Sequence, residues 1–260
     1  MLAACGAASA SRAIPTASLA GAPTVDARAY AVYDEDTGRQ LAGSEADARV
    51  PVGSLMKLLN ADVAYRAGEP DKAVVAPNGL VGAADESVIG IGAGQTITRG
   101  VLIRAMLKVS ANDAARLLAL DIAGSEARYA GLMNAAATEL GLVDTHAANA
   151  SGLDADGQFS SANDLITLGT HLLRDATFRQ TVTEATADFD GRTFRTNGLL
   201  GDYRGADGIK TGHTSEAGWC IVASATRDGR RIVVVVLGAP TEAGRDDAAR
   251  TLLDWGFAQA

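Results

Sequence analysis

The chain has 260 residues, 47% of them apolar and 21% charged, a composition typical of a globular protein with a sizeable core. Its formal net charge is −8 and it contains no basic run, which argues against a protein that mainly holds nucleic acid or anionic lipid. No segment approaches the roughly 18 uninterrupted apolar residues of a membrane span.

The first 24 residues are rich in alanine, serine and glycine and are predicted to be a tether or the remnant of an export signal. Near their start lies the tetrad Leu2-Ala3-Ala4-Cys5, which resembles the lipobox at which bacterial lipoproteins are cleaved and acylated. The basic and apolar regions that precede such a box are absent. Either the sequence starts too late or the tetrad arose by chance, and Cys5 is a candidate lipid-anchor site.

Two strands and a helix are predicted in the first part of the folded chain. Residues 28–34 form the first strand, and a turn at residues 36–38 leads into a short second strand. An apolar helix is predicted to open at Ser54 and to run to about Ala67, with Gly68 as its stop. A further short strand lies near residues 74–75.

Helical periodicity then dominates residues 98–173. The pattern breaks near Ser110, at Gly124 and between residues 141 and 160. These breaks predict a series of short helices rather than one long one.

The last part of the chain returns to strands. Residues 219–225 and 231–237 are predicted strands joined by Asp228-Gly229, a hairpin signal, and residues 241–257 form a closing helix. The order of elements predicts an α/β (α+β) fold in a catalytic domain of residues 25–260. One α/β lobe would come from both chain ends, about 25–70 and 185–260, with a helical lobe of about 71–184 inserted between them.

A serine and a lysine lie three residues apart at the start of the predicted first helix. Positions i and i+3 share a helix face, so Ser54 and Lys57 should be neighbours in apolar surroundings. The chain contains 23 basic residues but only four lysines, and lysine, unlike arginine, gives up its proton when it is buried. Taken alone, the pair is more typical of a helix cap beside a lysine that extends to water.

Two further motifs follow in a fixed order. Ser110-x-Asn112 lies where one predicted helix ends, and Lys210-Thr211-Gly212 lies just before the predicted strand hairpin. Each motif alone is a weak turn or cap signal. Together with Ser-x-x-Lys, in this order, they form the pattern of serine acyl-transferring penicillin-binding proteins and β-lactamases.

Each motif residue can be given a role in acyl transfer to a serine. A serine hydroxyl needs a base to become a nucleophile, and a neutral Lys57 would remove the proton of Ser54. Burial and a second, positively charged amine at Lys210 would both lower the pKa of Lys57. Ser110 would relay a proton to the leaving amine, and Asn112 would hold the substrate backbone.

An oxyanion hole is predicted at the same place. The backbone N–H of Ser54 lies at a helix start, where the helix dipole favours negative charge. A second N–H, from His213 just after Gly212, would complete the pair of donors. The sequence contains no His, Cys or Asp cluster at metal-ligand spacing, so neither a metal nor a cofactor is predicted.

The chain resembles the serine-type D-alanyl-D-alanine carboxypeptidases, the low-molecular-weight penicillin-binding proteins of peptidase family S11. The likeness covers about residues 25–258 and includes residues 110–115, 149–154, 206–214 and 252–257. It implies a β-lactamase/transpeptidase-like fold, with an antiparallel sheet flanked by helices and an inserted helical lobe.

The resemblance also implies roles for the motif residues. Their catalytic members would be Ser54, Lys57, Ser110 and Asn112, and their substrate-binding members Lys210, Thr211, Gly212 and His213. Arg245 falls where the family has a basic residue near the terminal carboxylate of the substrate, although it could equally be a solvated charge at a helix start.

The expected reaction is removal of the terminal D-alanine from peptidoglycan stem peptides through an acyl-enzyme, with covalent binding of β-lactam antibiotics at the same serine. Such an enzyme would be exported to the periplasm or cell envelope and would have no nucleic-acid partner. A D,D-endopeptidase on the same scaffold is an alternative that the sequence does not separate.

The sequence gives less support to a β-lactamase or to a non-catalytic protein. A class A-like β-lactamase needs a second carboxylate, but none of Glu126, Glu139 and Glu184 lies in the expected Glu-x-x-x-Asn setting. A silent peptidoglycan-binding module would have no need of the complete set of catalytic groups.

Overall fold

The computed structural model describes residues 21–80, 86–189, 191–195 and 197–259. Cys5 and most of the predicted tether lie outside these residues. The strands are β1 (Ala29–Asp34), β2 (Arg39–Ser44), β3 (Ala73–Val75), β4 (Thr96–Thr98), β5 (Thr186–Phe189), β6 (Arg192–Arg195), β7 (Ala206–Thr214), β8 (Gly218–Arg227) and β9 (Arg230–Ala239). The α-helices are α1 (Lys57–Ala67), α2 (Arg99–Lys108), α3 (Asn112–Ala123), α4 (Glu126–Glu139), α5 (Ala162–Leu172), α6 (Ala176–Thr183) and α7 (Glu242–Ala258).

Both ends of the described chain build one antiparallel sheet. Its strand order is β2-β1-β9-β8-β7, so the N-terminal hairpin pairs with the C-terminal strands along the register Ala29↔Leu237 to Asp34↔Ile232. Two small hairpins, β3-β4 and β5-β6, lie outside this sheet. The predicted mixture of helices with an antiparallel sheet is confirmed, and the lobe limits near residues 70 and 185 stay a prediction.

Strand β9 is buried on both faces of the sheet. Its side chains alternate between two apolar clusters: Val233, Val235 and Leu237 belong to one, and Ile232 and Val234 to the other. The second cluster also contains Leu252 and Leu253 of α7, whereas the first contains residues of α1 and α5. A strand buried on both faces requires a continuous apolar run, which explains the uninterrupted pattern of residues 232–237.

Helix α1 lies at the centre of the helical layers. Every residue from Lys57 to Ala64 is buried, and the helix contacts α2, α3, α4 and α5. A helix buried on all sides has no solvent-facing stripe. The side chain of Lys57, at its first position, is therefore enclosed by protein.

Lys210, Thr211 and Gly212 precede the β8-β9 hairpin, as the sequence predicts. They themselves lie within β7, an edge strand paired with β8 that the sequence did not predict. The sequence Ala206–Thr214 lacks apolar alternation, so it does not predict a strand. No helix within the described part of the chain is long and apolar enough to cross a bilayer.

Candidate active site

The serine and lysine of the first motif are in direct contact. Ser54 lies in a single 3₁₀ turn, residues Gly53–Met56, and α1 begins at Lys57, rather than at Ser54 as predicted. The tighter turn still places the side chains on one side, and Lys57 Nζ is 2.8 Å from Ser54 Oγ. Ser54 also lines the cleft described below, so a substrate can reach its hydroxyl.

Lys57 is held by two further oxygen atoms. Its Nζ donates to Asn112 Oδ1 at 2.7 Å and to the backbone carbonyl of Ser151. A neutral amine has two N–H bonds and one lone pair. If the two N–H bonds go to Asn112 and Ser151, the lone pair faces the hydroxyl of Ser54. This geometry suits a base that accepts the serine proton.

The electrostatics favour the neutral form of this amine. Complete burial, reinforced by the positive charges of Lys210 and Arg116, lowers the pKa of Lys57 well below the ordinary 10.5. Glu86 acts in the opposite direction and raises it. The predicted combination of desolvation and a second cation is thus present in the structure.

Three glycines allow the backbones around Ser54 to approach closely. A Cβ atom on Gly212 of β7 would lie 2.8 Å from Val52 O and 3.1 Å from Ser54 N. A Cβ atom on Gly53, whose φ is 54°, would lie 3.2 Å from His213 N, and one on Gly152 would collide with Gly53 O. The backbone amides of Ser54 and His213 therefore lie near each other, as the predicted oxyanion hole requires.

The second lysine lies across the cleft, beside the second motif. Lys210 Nζ donates to Ser110 Oγ at 3.1 Å and to Thr211 O at 2.8 Å. Ser110 has a left-handed backbone, with φ 61°, where α2 gives way to α3. Burial, together with the charges of Arg245 and Lys108, lowers the pKa of Lys210 to about 7. The sequence predicts a positively charged amine here, and the lowered pKa makes that charge sensitive to pH and to a bound anion.

Arg245 forms part of the cleft wall. Its side chain is 3% exposed, so the alternative of a solvated helix-start charge is wrong. It pairs with Asp246 at 2.8 Å and with Glu242 at 3.2 Å, and its Cζ lies 5.6 Å from the centre of the Trp219 ring. The imidazole of His213 stacks on the same ring, with centroids 4.0 Å apart.

These residues surround one cleft of about 650 Å³. Seven of the predicted site residues line the cleft: Ser54, Ser110, Asn112, Thr211, Gly212, His213 and Arg245. The other two, Lys57 and Lys210, are buried behind its surface. Lys57 and Lys210 reach the cleft through their bonds to Ser54 and Ser110. The structure brings together every catalytic and substrate-binding residue predicted from the sequence. Among the described residues, no group of three or more His, Cys, Asp or Glu side chains is placed to hold a metal ion.

Three acidic residues line the cleft, and sequence reasoning gave none of them a role: Glu86, Asp154 and Glu242. Glu86 accepts a hydrogen bond from Asn112 Nδ2 at 3.0 Å, but it lies outside the segment between Ser110 and Lys210 in which a second carboxylate would be expected. Asp154, at the end of the family-like segment 149–154, accepts from Thr214 Oγ1 at 2.5 Å, and Glu242 pairs with Arg245. None of the three belongs to the short motifs, so motif spacing gave no signal for them.

The antiparallel sheet, the helical layers and the Ser-Lys pair define the transpeptidase-like class of penicillin-binding peptidases. Comparison with known proteins agrees. The family model described as D-alanyl-D-alanine carboxypeptidase, peptidase S11, matches residues 16–241. The structure of penicillin binding protein 6B from Escherichia coli superimposes with a TM-score of 0.84 at 34% identity, over 90% of this chain and 78% of that one. The predicted fold is confirmed.

The chain belongs to the D-alanyl-D-alanine carboxypeptidase family S11. The D-alanyl-D-alanine carboxypeptidase DacA of Escherichia coli (strain K12) is 37% identical over 250 residues, which cover 91% of this chain and 62% of that protein. DacB2 of Mycobacterium tuberculosis (strain ATCC 25618 / H37Rv) is also 37% identical, over 91% of this chain and 84% of that protein. The chain thus spans less than two thirds of the length of DacA.

Proposed function

We propose that this chain is a serine D-alanyl-D-alanine carboxypeptidase that works through an acyl-enzyme on Ser54. The observation that supports this best is the enclosed Lys57 amine, 2.8 Å from Ser54 Oγ, with its pKa lowered by burial and neighbouring cations. Membership of family S11 and the names of its relatives support the choice of substrate.

In the proposed acylation, Ser54 Oγ attacks the carbonyl carbon of the penultimate D-alanine while its proton moves to Lys57 Nζ. The backbone N–H groups of Ser54 and His213 stabilise the negative charge that develops on the carbonyl oxygen. The proton then passes through the hydroxyl of Ser110 to the nitrogen of the leaving D-alanine. An ester on Ser54 remains, and water hydrolyses it with Lys57 again acting as base.

The terminal carboxylate of the substrate accounts for the second group of cations. We assign it to Lys210, Thr211 and Arg245: Thr211 and Arg245 line the cleft, and Lys210 lies just behind its surface, bonded to Ser110 and close enough to Arg245 for the two charges to interact. An incoming carboxylate favours the charged form of Lys210 and raises its pKa above the value of about 7 that the protein alone gives it. Penicillin, which has a carboxylate beside a strained amide, would acylate the same serine.

The proposed setting is the bacterial cell envelope, outside the cytoplasm, where peptidoglycan stem peptides are present. The homology to D-alanyl-D-alanine carboxypeptidases supports this location. Attachment to a membrane through a lipid on Cys5 stays a separate proposal, which mass spectrometry of the protein isolated from its own cells would test.

The proposed function is tested by incubating the protein with a synthetic acyl-D-Ala-D-Ala peptide and measuring released D-alanine. We expect release from the wild type and none from Ser54→Ala, which should also lose labelling by a fluorescent penicillin while keeping its circular dichroism spectrum. Labelling of Ser54→Ala would contradict the assignment of the nucleophile. A cross-linked peptide dimer assayed in parallel distinguishes an endopeptidase, and rapid multiple turnover of penicillin would instead indicate a β-lactamase.

A further inference from the structure

Glu86 is a cleft residue to which none of the three motifs assigns a role. Its side chain is 10% exposed and lines the cleft together with Ser54 and Asn112. Arg116 Nη2 donates to Glu86 Oε1 at 2.9 Å, and Arg116 Nη1 lies 2.8 Å from Glu86 Oε2. This ion pair, in which the Nη2 contact is a hydrogen bond, holds the carboxylate against α3, one helical turn beyond Asn112.

The carboxylate meets the side of Asn112 that faces away from Lys57. Asn112 Nδ2 donates to Glu86 Oε2 at 3.0 Å, while Asn112 Oδ1 accepts from Lys57 Nζ at 2.7 Å. An ionised carboxylate only accepts hydrogen bonds, so it requires the NH₂ group of an amide neighbour. Glu86 therefore determines which end of the Asn112 amide faces Lys57.

The orientation of this amide determines where the lone pair of Lys57 points. With Asn112 Oδ1 and Ser151 O accepting the two N–H bonds of a neutral amine, the lone pair remains directed at Ser54 Oγ. A flipped Asn112 would present a donor to Lys57 instead, and the amine would have to use its lone pair there. The hydroxyl of Ser54 would then lose its base.

We propose that Glu86 is a positioning residue of the reaction, which fixes the amide of Asn112 and, through it, aims the amine of Lys57 at Ser54. This inference rests on the proposed function for its catalytic consequence. The chain of contacts runs from Arg116 through Glu86 and Asn112 to Lys57 and Ser54.

The negative charge of Glu86 also acts on the pKa of Lys57, separately from the hydrogen bond to Asn112. Among the residues that the structure describes, the charged groups that act on Lys57 are Lys210 of β7, Arg116 of α3 and Glu86, and of these Glu86 raises its pKa. Loss of the Glu86 charge would also leave Arg116 less compensated. The pKa of Lys57 should therefore fall further when Glu86 becomes neutral.

The test compares Glu86→Gln with Glu126→Gln. Glu126 is the matched control because it lies 4.0 Å from Arg116 Nε, is 40% exposed and is absent from the cleft lining. We expect Glu86→Gln to lower the rate of penicillin acylation about tenfold, the loss of roughly one hydrogen bond to a charged group, and Glu126→Gln to change it less than twofold. Glu86→Asp, which keeps an acceptor-only group, should recover part of the rate.

The second measurement, an NMR titration of Lys57, does not depend on catalytic activity. The chain has four lysines, so a protein labelled with ¹³C at lysine Cε gives few resonances to assign in an NMR titration. The Lys57 resonance should titrate at lower pH in Glu86→Gln than in the wild type, and at an unchanged pH in Glu126→Gln. Equal acylation rates and equal Lys57 titrations in the two variants would overturn the proposal.

The experiments distinguish failure of the proposed function from failure of the proposed role of Glu86. If the wild type releases no D-alanine and takes up no penicillin, the enzyme assignment fails, and the NMR titration still decides whether Glu86 acts on Lys57. If Glu86→Gln is active at the wild-type rate, only the role of Glu86 fails. A drop in the thermal midpoint of Glu86→Gln with an unshifted Lys57 titration would assign Glu86 to stability alone and contradict the proposal.

Discussion

The two buried lysines of the cleft both contact neutral oxygen atoms but differ in position and in the charges around them. Lys57 is enclosed at the start of α1, contacts Ser54, Asn112 and Ser151, and is acted on, besides burial, by the cations Lys210 and Arg116 and by the anion Glu86. Lys210 lies on the edge strand β7, contacts Ser110 and the Thr211 carbonyl, and is acted on, besides burial, by the cations Arg245 and Lys108. Both pKa values are lowered mainly by burial, that of Lys57 well below 10.5 and that of Lys210 to about 7.

This difference separates two tasks that one residue type performs in the same cleft. A base must be neutral before the substrate arrives, and burial among uncharged acceptors provides that state for Lys57. A carboxylate receptor must be charged once the substrate is bound. A pKa near neutrality lets Lys210 be partly charged before an anion arrives and fully charged beside it.

The largest expected effect comes from removing the base. Lys57→Met keeps the length and the apolar stem but has no proton acceptor, so penicillin acylation should fall about 10³-fold. Stopped-flow or gel-based labelling measures the rate. Lys72→Met, which removes a 40% exposed lysine paired with Asp121, is the control and should label at the wild-type rate. Normal labelling of Lys57→Met would contradict the role of Lys57.

Removal of the carboxylate receptor should have a smaller and more selective effect. Lys210→Ala should lower kcat/KM for an acyl-D-Ala-D-Ala peptide about 100-fold, the value of a strong hydrogen bond to a charged group. The same peptide with a C-terminal amide lacks the anion, so its loss in the variant should be clearly smaller, limited to the effects of Lys210 on Ser110 and Lys57. An equal loss on both peptides would show that Lys210 does not recognise the carboxylate.

The pH dependence should report both lysines with opposite signs. Activity requires neutral Lys57, which produces a rise with pH on the acid side, and charged Lys210, which produces a fall as pH passes about 7 in kcat/KM. Well above pH 7, kcat/KM should fall about tenfold per pH unit. The fall in kcat should lie at higher pH, because the bound carboxylate raises the pKa of Lys210.

Lys210→Arg sharpens this pH test. Arginine stays charged, so the alkaline fall in kcat/KM near neutral pH should disappear even if the rate itself is lower. Persistence of the same fall in Lys210→Arg would assign it to another group.

The smallest expected effect concerns the close approach of β7 to the turn that holds Ser54. Gly212→Ala places a Cβ atom 2.8 Å from Val52 O, and the overpacking should cost about 1–2 kcal/mol of unfolding free energy, measured by urea denaturation. Gly131→Ala in α4 has open space around the new Cβ and should not be destabilised. Equal stability of the two variants would argue against a tight contact at Gly212.

The sequence predicted the site better than the secondary structure around it. The three motifs identified Ser54, Lys57, Ser110, Asn112 and Lys210 because nucleophile, base and relay need particular residue types at short, regular spacings. Strand β7 was missed because Ala206–Thr214 contains glycines and polar residues without apolar alternation. This segment is a strand because it pairs with β8, and that pairing cannot be predicted from the local sequence pattern.

Glu86 and the charge state of Lys210 were missed for a different reason. Glu86 becomes a neighbour of Asn112 only when the segment before β4 folds against α3, a contact between residues 26 positions apart. The lowered pKa of Lys210 depends first on burial and then on Arg245 and Lys108, which lie far from it in sequence. Both properties are tertiary, so motif spacing does not contain them.

Direct titration of the lysine amines tests the central claim with no need for a substrate. In protein labelled with ¹³C at lysine Cε, we expect the Lys57 resonance to titrate well below the ordinary pKa of 10.5 and the Lys210 resonance to titrate near pH 7. An amine of Lys57 that stays protonated up to pH 10 would show that Ser54 has no neutral base beside it, and would contradict the account.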